Sequence, residues 1–129
     1  MVDCLSAGNQ PWAVNAPLLV LVSAALKFAT DGSENLHAVY DCGFAVGNIT
    51  AQATALDLWV HQMAGFDRAK ARQVFHVPEG CEPIVVLAIG YYGDPAGLPE
   101  NRRTQEAGPR SRKAFSEIVF EGEWGKPWA

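Results

Sequence analysis

The chain has 129 residues, a hydrophobic fraction of 49% and a formal net charge of −4, which favours one folded domain and argues against a basic nucleic-acid-binding face. Its longest apolar run, from Pro17 to Leu26, is shorter than the about 20 residues that span a bilayer, and the N-terminus lacks the features of a secretory signal. The three cysteines are far apart and form no CxxC pair, which indicates a reduced, cytoplasmic protein with unpaired thiols.

Two strongly apolar segments predict buried β-strands. Residues 17–23, PLLVLVS, form an almost unbroken β-favouring run, and residues 83–92, PIVVLAIGYY, form a second one. Gly90 within the second run indicates close approach of another backbone or of a ligand. A third, short strand is expected at residues 59–61.

Between the first and the third strand, the sequence predicts one long helix. Apolar and small residues recur at three- and four-residue steps over residues 36–58, and Ser33 or Asn35 is the expected cap. Gly43 and Gly47 each cost about 1 kcal/mol of helix stability relative to alanine. Close approach of another backbone would offset this cost, so we expect a central helix that is packed on several sides.

The remaining segments complete an α+β pattern. A turn is expected at residues 62–65, after which Asp67 caps a short helix over residues 67–75. Residues 93–113 are rich in proline and glycine and lack an apolar period. Residues 115–121 alternate enough to be a strand or an extended arm, and the tail that follows contains two tryptophans that should dock on the chain's own body or on a partner.

We therefore predict an α+β sandwich with one mixed sheet flanked by helices. Residues 1–129 are expected to form a single domain with a core of residues 1–92. Residues 93–129 are expected to form an extended arm that packs on a partner subunit, because a small sheet has open edges that need cover.

Few side chains suggest chemistry on their own. A zinc site built from Cys42, Cys81, His61 and His76 lacks closely spaced ligand pairs, and neither histidine has a carboxylate at useful spacing. Residues 102–113 carry five basic side chains, which composition alone would assign to a solvated loop rather than to a phosphate site. No Ser-His-Asp arrangement, P-loop or GxGxxG fingerprint is present, so no side chain is expected to act as a nucleophile or to bind a metal.

The order and spacing of five segments resemble the C-terminal two-thirds of the FMN-dependent nitroreductase family, over roughly residues 9 to 125. The segments are NQPWAVNAPLLVLV, YDCGFAVGNITAQATALDLWVHQMAGFD, VPEG, PIVVLAIGYYGDP and PRSRKAFSEIVFEGEWG. The resemblance implies an intertwined homodimer, whose central helices form the dimer core and whose C-terminal arms each add a strand to the partner's sheet. It also implies that FMN binds at the dimer interface and passes hydride from NAD(P)H to a nitroaromatic, quinone or flavin by a ping-pong route.

The resemblance further implies specific cofactor contacts. The backbone of four residues is expected to face the flavin ring near N5: Gln62, Met63, Ala64 and Gly65. A backbone N–H there would hydrogen-bond N5 and help the ring to accept hydride. Arg110 and Arg112 match the basic pair that holds the FMN phosphate, with Lys113 beside them.

Two N-terminal segments of the family have no match in this sequence. These are an Arg-Arg-Ser-x-Arg segment and a Pro-Ser-Ser-x-x-Asn-like segment, both of which contribute to flavin binding in the family. The expectation is therefore a domain truncated at its N-terminus. The alternative interpretation is a non-catalytic nitroreductase-like remnant that dimerises but binds FMN poorly or not at all, and a third is an unrelated small α+β binding domain.

Overall fold

Helices and strands alternate along the first part of the chain. The computed structural model describes residues 1–128, and the chain divides into one unit at Met1–Gly93 and a second that begins at Asp94. The elements of the first unit follow a 3-10 turn at Val2–Cys4: α1 (Gln10–Ala13), β1 (Leu18–Ala25), α2 (Ala38–Ala55), β2 (Trp59–Met63), α3 (Arg68–Val74) and β3 (Cys81–Gly90). The predicted α+β architecture is confirmed.

The three strands form one sheet with β3 in its centre. Leu18 of β1 lies opposite Ile89 of β3, and Trp59 of β2 lies opposite Gly90, with both pairings antiparallel. The prediction of a mixed sheet is therefore wrong for residues 1–128. The two strands that run in the same direction, β1 and β2, are not neighbours because the last strand in the chain lies between them.

One face of the sheet holds a core cluster shared with the N-terminal segment. Its buried members come from that segment, from α1 and from the strands: Leu5, Ala13, Met63, Val86 and Ala88. Side chains alternate across a strand, so Leu87, which is fully buried, points to the opposite face. That face is covered by α2, which contacts both β1 and β2.

Within the first unit, helix α2 is packed on one side only. Its buried side chains, Ala38, Val46 and Ala53, lie on the side that faces the sheet. Tyr40 is 73% exposed and Phe44 is 66% exposed. The prediction of a helix packed on several sides is thus not met inside the chain.

The start of α2 also differs from the prediction. The helix begins at Ala38 and its N-cap is His37, which makes no side-chain capping bond. Asn35 lies too early to cap it and instead accepts a hydrogen bond from the His37 N–H, at 3.1 Å. The prediction that Ser33 or Asn35 caps this helix is wrong, because Asn35 organises the turn before the first helical residue.

One other local prediction is confirmed, and a second is confirmed in part. Asp67 caps α3, since its side-chain oxygen accepts a hydrogen bond from the Lys70 N–H at 2.9 Å. Gly90 is closely approached, because a Cβ at this position would lie 2.8 Å from Cδ of Pro17. The neighbour at Gly90 is therefore the proline ring that leads into β1, and not the second backbone or the ligand that the sequence predicts.

The second unit contains a helix that the sequence analysis did not predict. Helix α4 (Glu100–Ala107) follows a 3-10 turn at Pro95–Gly97, and another 3-10 turn lies at Phe115–Glu117. The helix has no apolar stripe and is supported by local bonds such as that from the Thr104 hydroxyl to the Glu100 carbonyl, at 3.0 Å. The sequence analysis therefore missed a helix within residues 93–129, and the packing of this segment on a partner subunit stays a prediction.

The end of the second unit does not form a strand within the described residues. Residues 115–121 were predicted to be a strand or an extended arm, and the only strand-like pairing found there is an isolated bridge between Phe120 and Pro127. Trp124 packs on Phe120 with ring centroids 4.9 Å apart, yet it remains 93% exposed. Among residues 1–128, no helix is long and apolar enough to cross a membrane.

Candidate functional site

The four residues predicted to form a turn facing a flavin are only partly a turn. Strand β2 continues to Met63, which pairs with Val86, so Gln62 and Met63 belong to the strand. The Met63 side chain is buried in the core, whereas Gln62, Ala64 and Gly65 are exposed. A ligand at this position would therefore meet the backbone of Ala64 and Gly65 and not the side chain of Met63.

Gly65 stands at the centre of a tight turn. The Phe66 N–H donates to the Ala64 carbonyl at 3.1 Å, which closes a three-residue turn around Gly65. The φ of Gly65 is not in the left-handed region, so the backbone conformation alone does not require glycine. A Cβ here would lie 2.8 Å from Oγ of Ser6 and 3.1 Å from Nδ2 of Asn9, and this close approach is the reason for glycine.

The N-terminal segment also bonds the Gly65 carbonyl. The Ser6 N–H donates to it at 2.9 Å and the Asn9 side-chain amide donates at 3.1 Å. Leu5 and Phe66 form an antiparallel bridge beside these bonds. The sequence analysis missed both Ser6 and Asn9, because the Asn9–Gly65 contact joins residues 56 positions apart and no local pattern signals it.

The N–H side of the same loop is available to a ligand. No hydrogen bond from the Gly65 N–H is found within residues 1–128, and the residue is exposed. An N–H group held in this way is a suitable donor for a ring nitrogen such as N5 of a flavin. The chemistry of the loop thus fits the ring end of FMN.

His61 lies on β2 just before this loop. Its ring packs edge-to-face against Trp12 of α1, with centroids 4.8 Å apart and an interplanar angle of 72°. Such a pair stabilises the packing of α1 on the sheet. Among residues 1–128, no group of three His, Cys, Asp or Glu side chains lies close enough together to hold a metal ion.

The predicted phosphate-binding residues lie in the second unit. Arg110, Arg112 and Lys113 are exposed in the irregular segment that follows α4, and none forms a salt bridge with another residue of the described chain. The Arg112 guanidinium donates to the carbonyl of Ser111 at 2.7 Å. Guanidinium and ammonium groups without an acidic partner suit a phosphate, so this segment, taken by itself, fits the other end of FMN.

Comparison with solved structures identifies the fold. The chain superposes on a crystal structure described as an oxidoreductase containing FMN with a TM-score of 0.87 and 26% identity, covering 97% of this chain and 64% of that one. A nitroreductase family protein of Clostridium difficile 630 gives a TM-score of 0.61 and 27% identity, covering 84% of this chain and 61% of that one. The chain therefore spans less than two thirds of the length of either structure.

Sequence comparison identifies the family. An uncharacterised 15.4 kDa protein in the ask 5′ region of Mycolicibacterium smegmatis is 36% identical over 127 residues, which are 98% of this chain and 84% of that protein. The sequence model of the nitroreductase family matches residues 4–91. The chain belongs to the nitroreductase family.

The family match includes the loop proposed to face the flavin ring but not the basic residues predicted to hold the phosphate. It begins at residue 4, earlier than the predicted start at residue 9, and so includes Ser6, Asn9 and the loop of residues 64–65. It ends at residue 91, so the basic residues of the second unit lie beyond it.

Proposed function

We propose that this chain is a flavin-dependent oxidoreductase that binds FMN and transfers hydride from NAD(P)H to a nitroaromatic, quinone or flavin acceptor. The observation that carries the proposal is the loop of Ala64 and Gly65. It is exposed, it presents a free backbone N–H, and it lies inside the residues that the family model matches. The similarity to an FMN-containing oxidoreductase supports FMN as the cofactor.

The residues of the chain would bind and orient the cofactor. The N–H groups of Ala64 and Gly65 would donate toward N5 of the ring, and Arg110, Arg112 and Lys113 would hold the phosphate. FMN itself would supply the redox chemistry, accepting hydride and passing it to the second substrate. No side chain of the protein would need to act as a nucleophile or general acid.

We further propose that the chain works as a homodimer through the open side of α2. Leu36, Tyr40 and Phe44 leave a large apolar surface exposed on that side, which is typical of an interaction site. At Gly43 and Gly47, an added Cβ would have no neighbour within 4 Å. Nothing within the described chain therefore explains these two glycines, whereas a second α2 packed against them would.

The proposed location is the cytoplasm. Cys4, Cys42 and Cys81 are all free in the structure, and unpaired thiols are typical of a reducing compartment.

The deciding experiment is the absorbance spectrum of the purified full chain after incubation with FMN and removal of the unbound flavin. A retained flavin band, bleached anaerobically by NADH or NADPH and restored by a quinone or nitroaromatic, is the expected result. Riboflavin, which lacks the phosphate, serves as the control ligand. A colourless protein that takes up no FMN on titration would contradict the proposal and favour the alternative, a dimer that does not use flavin.

A further inference from the structure

The side chain of Asn9 bonds a distant loop in place of its own helix. Asn9 is the N-cap of α1, a position that favours asparagine because the side-chain oxygen can accept a hydrogen bond from the first helical turn. Here the side chain makes no capping bond, and its Nδ2 donates to the Gly65 carbonyl. The residue type suits a local cap, yet the contact that it makes is long-range.

The carbonyl oxygen of Gly65 accepts two hydrogen bonds, one from the Asn9 side chain and one from the Ser6 backbone. A carbonyl oxygen has two lone pairs, and the Ser6 N–H donates the second bond at 2.9 Å. Two residues after Gly65, the Asp67 N–H donates to the carbonyl of Cys4 at 2.7 Å. The N-terminal segment thus restrains a glycine that would otherwise sample a wide range of backbone angles.

We infer that Ser6 and Asn9 are positioning residues for the loop of Ala64 and Gly65: by holding the Gly65 carbonyl, they aim the loop's N–H groups at the flavin ring. This inference rests on the proposed function. A donor that is held in place before the ligand binds loses less conformational entropy on binding. It also keeps its direction while charge develops on the ring.

The test uses the full chain with Asn9→Ala and, as a control, Asn15→Ala, because Asn15 is an exposed asparagine near α1. We expect the Asn9 variant to reduce bound FMN with NAD(P)H about two- to tenfold more slowly, the equivalent of one neutral hydrogen bond. Its flavin midpoint potential should fall, since a weaker donor at N5 disfavours the reduced ring. The control should match the wild type in both measurements.

A second variant separates positioning from a structural role of Asn9. Asn9→Asp keeps the size of the side chain and remains a favoured N-cap residue, but an ionised carboxylate cannot donate to the Gly65 carbonyl. We expect it to retain the stability of the fold, measured by urea unfolding, while it shows the lowered potential and slower reduction. If Asn9 served only to form α1, this variant would behave as the wild type does.

The outcomes distinguish this inference from the proposed function. If the wild type binds FMN and both Asn9 variants match it in potential and rate, the inference is overturned and the proposed function stands. If the wild type takes up no FMN, the proposed function fails and the inference fails with it. In the flavin-free protein, the Gly65 and Phe66 amide resonances should shift in Asn9→Ala and not in Asn15→Ala, and unchanged resonances would overturn the inference independently.

Discussion

Arg72 of α3 bonds Glu82 of β3 with 2.9 Å between Nη2 and Oε2, and this pair joins the helix to the central strand. The same guanidinium also donates to three backbone carbonyls: those of Val77, Pro78 and Cys81. One half-buried side chain therefore holds the whole connection between α3 and β3. The Arg72 side chain contributes more to the stability of the fold than an isolated surface ion pair does, because its loss would leave several acceptors without a donor.

The first prediction compares the two arginines that share Glu82. Arg72→Ala should lower the free energy of unfolding by about 1–3 kcal/mol, because four hydrogen bonds are lost together. Arg68→Ala should cost less than about 0.5 kcal/mol, since Arg68 is more exposed and its nitrogen lies 3.6 Å from Glu82. Urea unfolding followed by tryptophan fluorescence measures both, and equal losses would contradict the assigned role of Arg72.

The second prediction concerns the steric need for glycine at position 65. Gly65→Ala should destabilise the chain by about 1–3 kcal/mol, because the added methyl group meets Oγ of Ser6. Ser6→Ala alone should have little effect, since the Ser6 bond to Gly65 uses the backbone N–H.

The double variant Ser6→Ala with Gly65→Ala should recover most of the lost stability, because the nearest remaining atoms are Nδ2 of Asn9 at 3.1 Å and Cβ of Ser6 at 3.5 Å. Unfolding of all three variants under the same conditions forms the measurement. A double variant as unstable as Gly65→Ala would show that the strain at this position has another source.

The elements that the sequence predicted correctly carry strong local signals. β1 and β3 are continuous β-favouring runs, and Asp67 stands directly before a helical segment that it caps. Helix α4 has no apolar residue larger than alanine, so no periodicity could reveal it. The antiparallel pairing of all three strands could not be predicted for a different reason. It depends on β3 lying between β1 and β2, two strands that come far earlier in the chain.

The residues of the candidate site could likewise be predicted from the sequence only in part. The family resemblance predicts that the backbone of Ala64 and Gly65 faces the flavin, and this stays a prediction. Gln62 and Met63 were predicted to lie in the same turn, but the pairing of Met63 with Val86 extends the strand through them. Ser6 and Asn9 gave no signal, because their contact with the loop is formed only when the N-terminal segment packs beside β2. Long-range hydrogen bonds of this kind cannot be read from local spacing.

The third prediction concerns Asp31 and its turn. Hydrogen bonds from the Ser33 hydroxyl at 2.6 Å and the Ser33 N–H at 2.9 Å lower the pKa of Asp31 below its ordinary value. A carboxyl whose pKa is lowered on folding stabilises the fold above its ordinary pKa, and this stabilisation is lost as the pH falls through the lowered value. Ser33→Ala should therefore raise the pKa of Asp31 toward normal in an NMR titration, whereas Ser116→Ala should leave it unchanged.

The fourth prediction tests the proposed dimer. Phe44→Glu places a charge on the open apolar side of α2 and should convert the dimer into monomer, as measured by size-exclusion chromatography with light scattering. Gln52→Glu adds the same charge to an exposed position of the same helix and should remain dimeric. Circular dichroism checks that both variants keep their helices. A wild-type chain that is a stable monomer would contradict the proposal directly.

The fifth prediction asks whether the second unit holds the phosphate. Arg110→Ala and Arg112→Ala should each weaken FMN binding by about tenfold or more, because each removes a charge-assisted hydrogen bond. Neither should change the affinity for riboflavin, which has the same ring and no phosphate. Arg103→Ala removes an exposed charge from α4 of the same unit and serves as the control.

Titration of each variant with both flavins, followed by fluorescence, gives the two dissociation constants. Added salt should weaken FMN binding to the wild type more than riboflavin binding, because the proposed contact is between full charges. An equal loss of affinity for both flavins in the Arg110 and Arg112 variants would show that these residues support the fold or the ring site. In that case, the phosphate would have to be held by other residues of the protein.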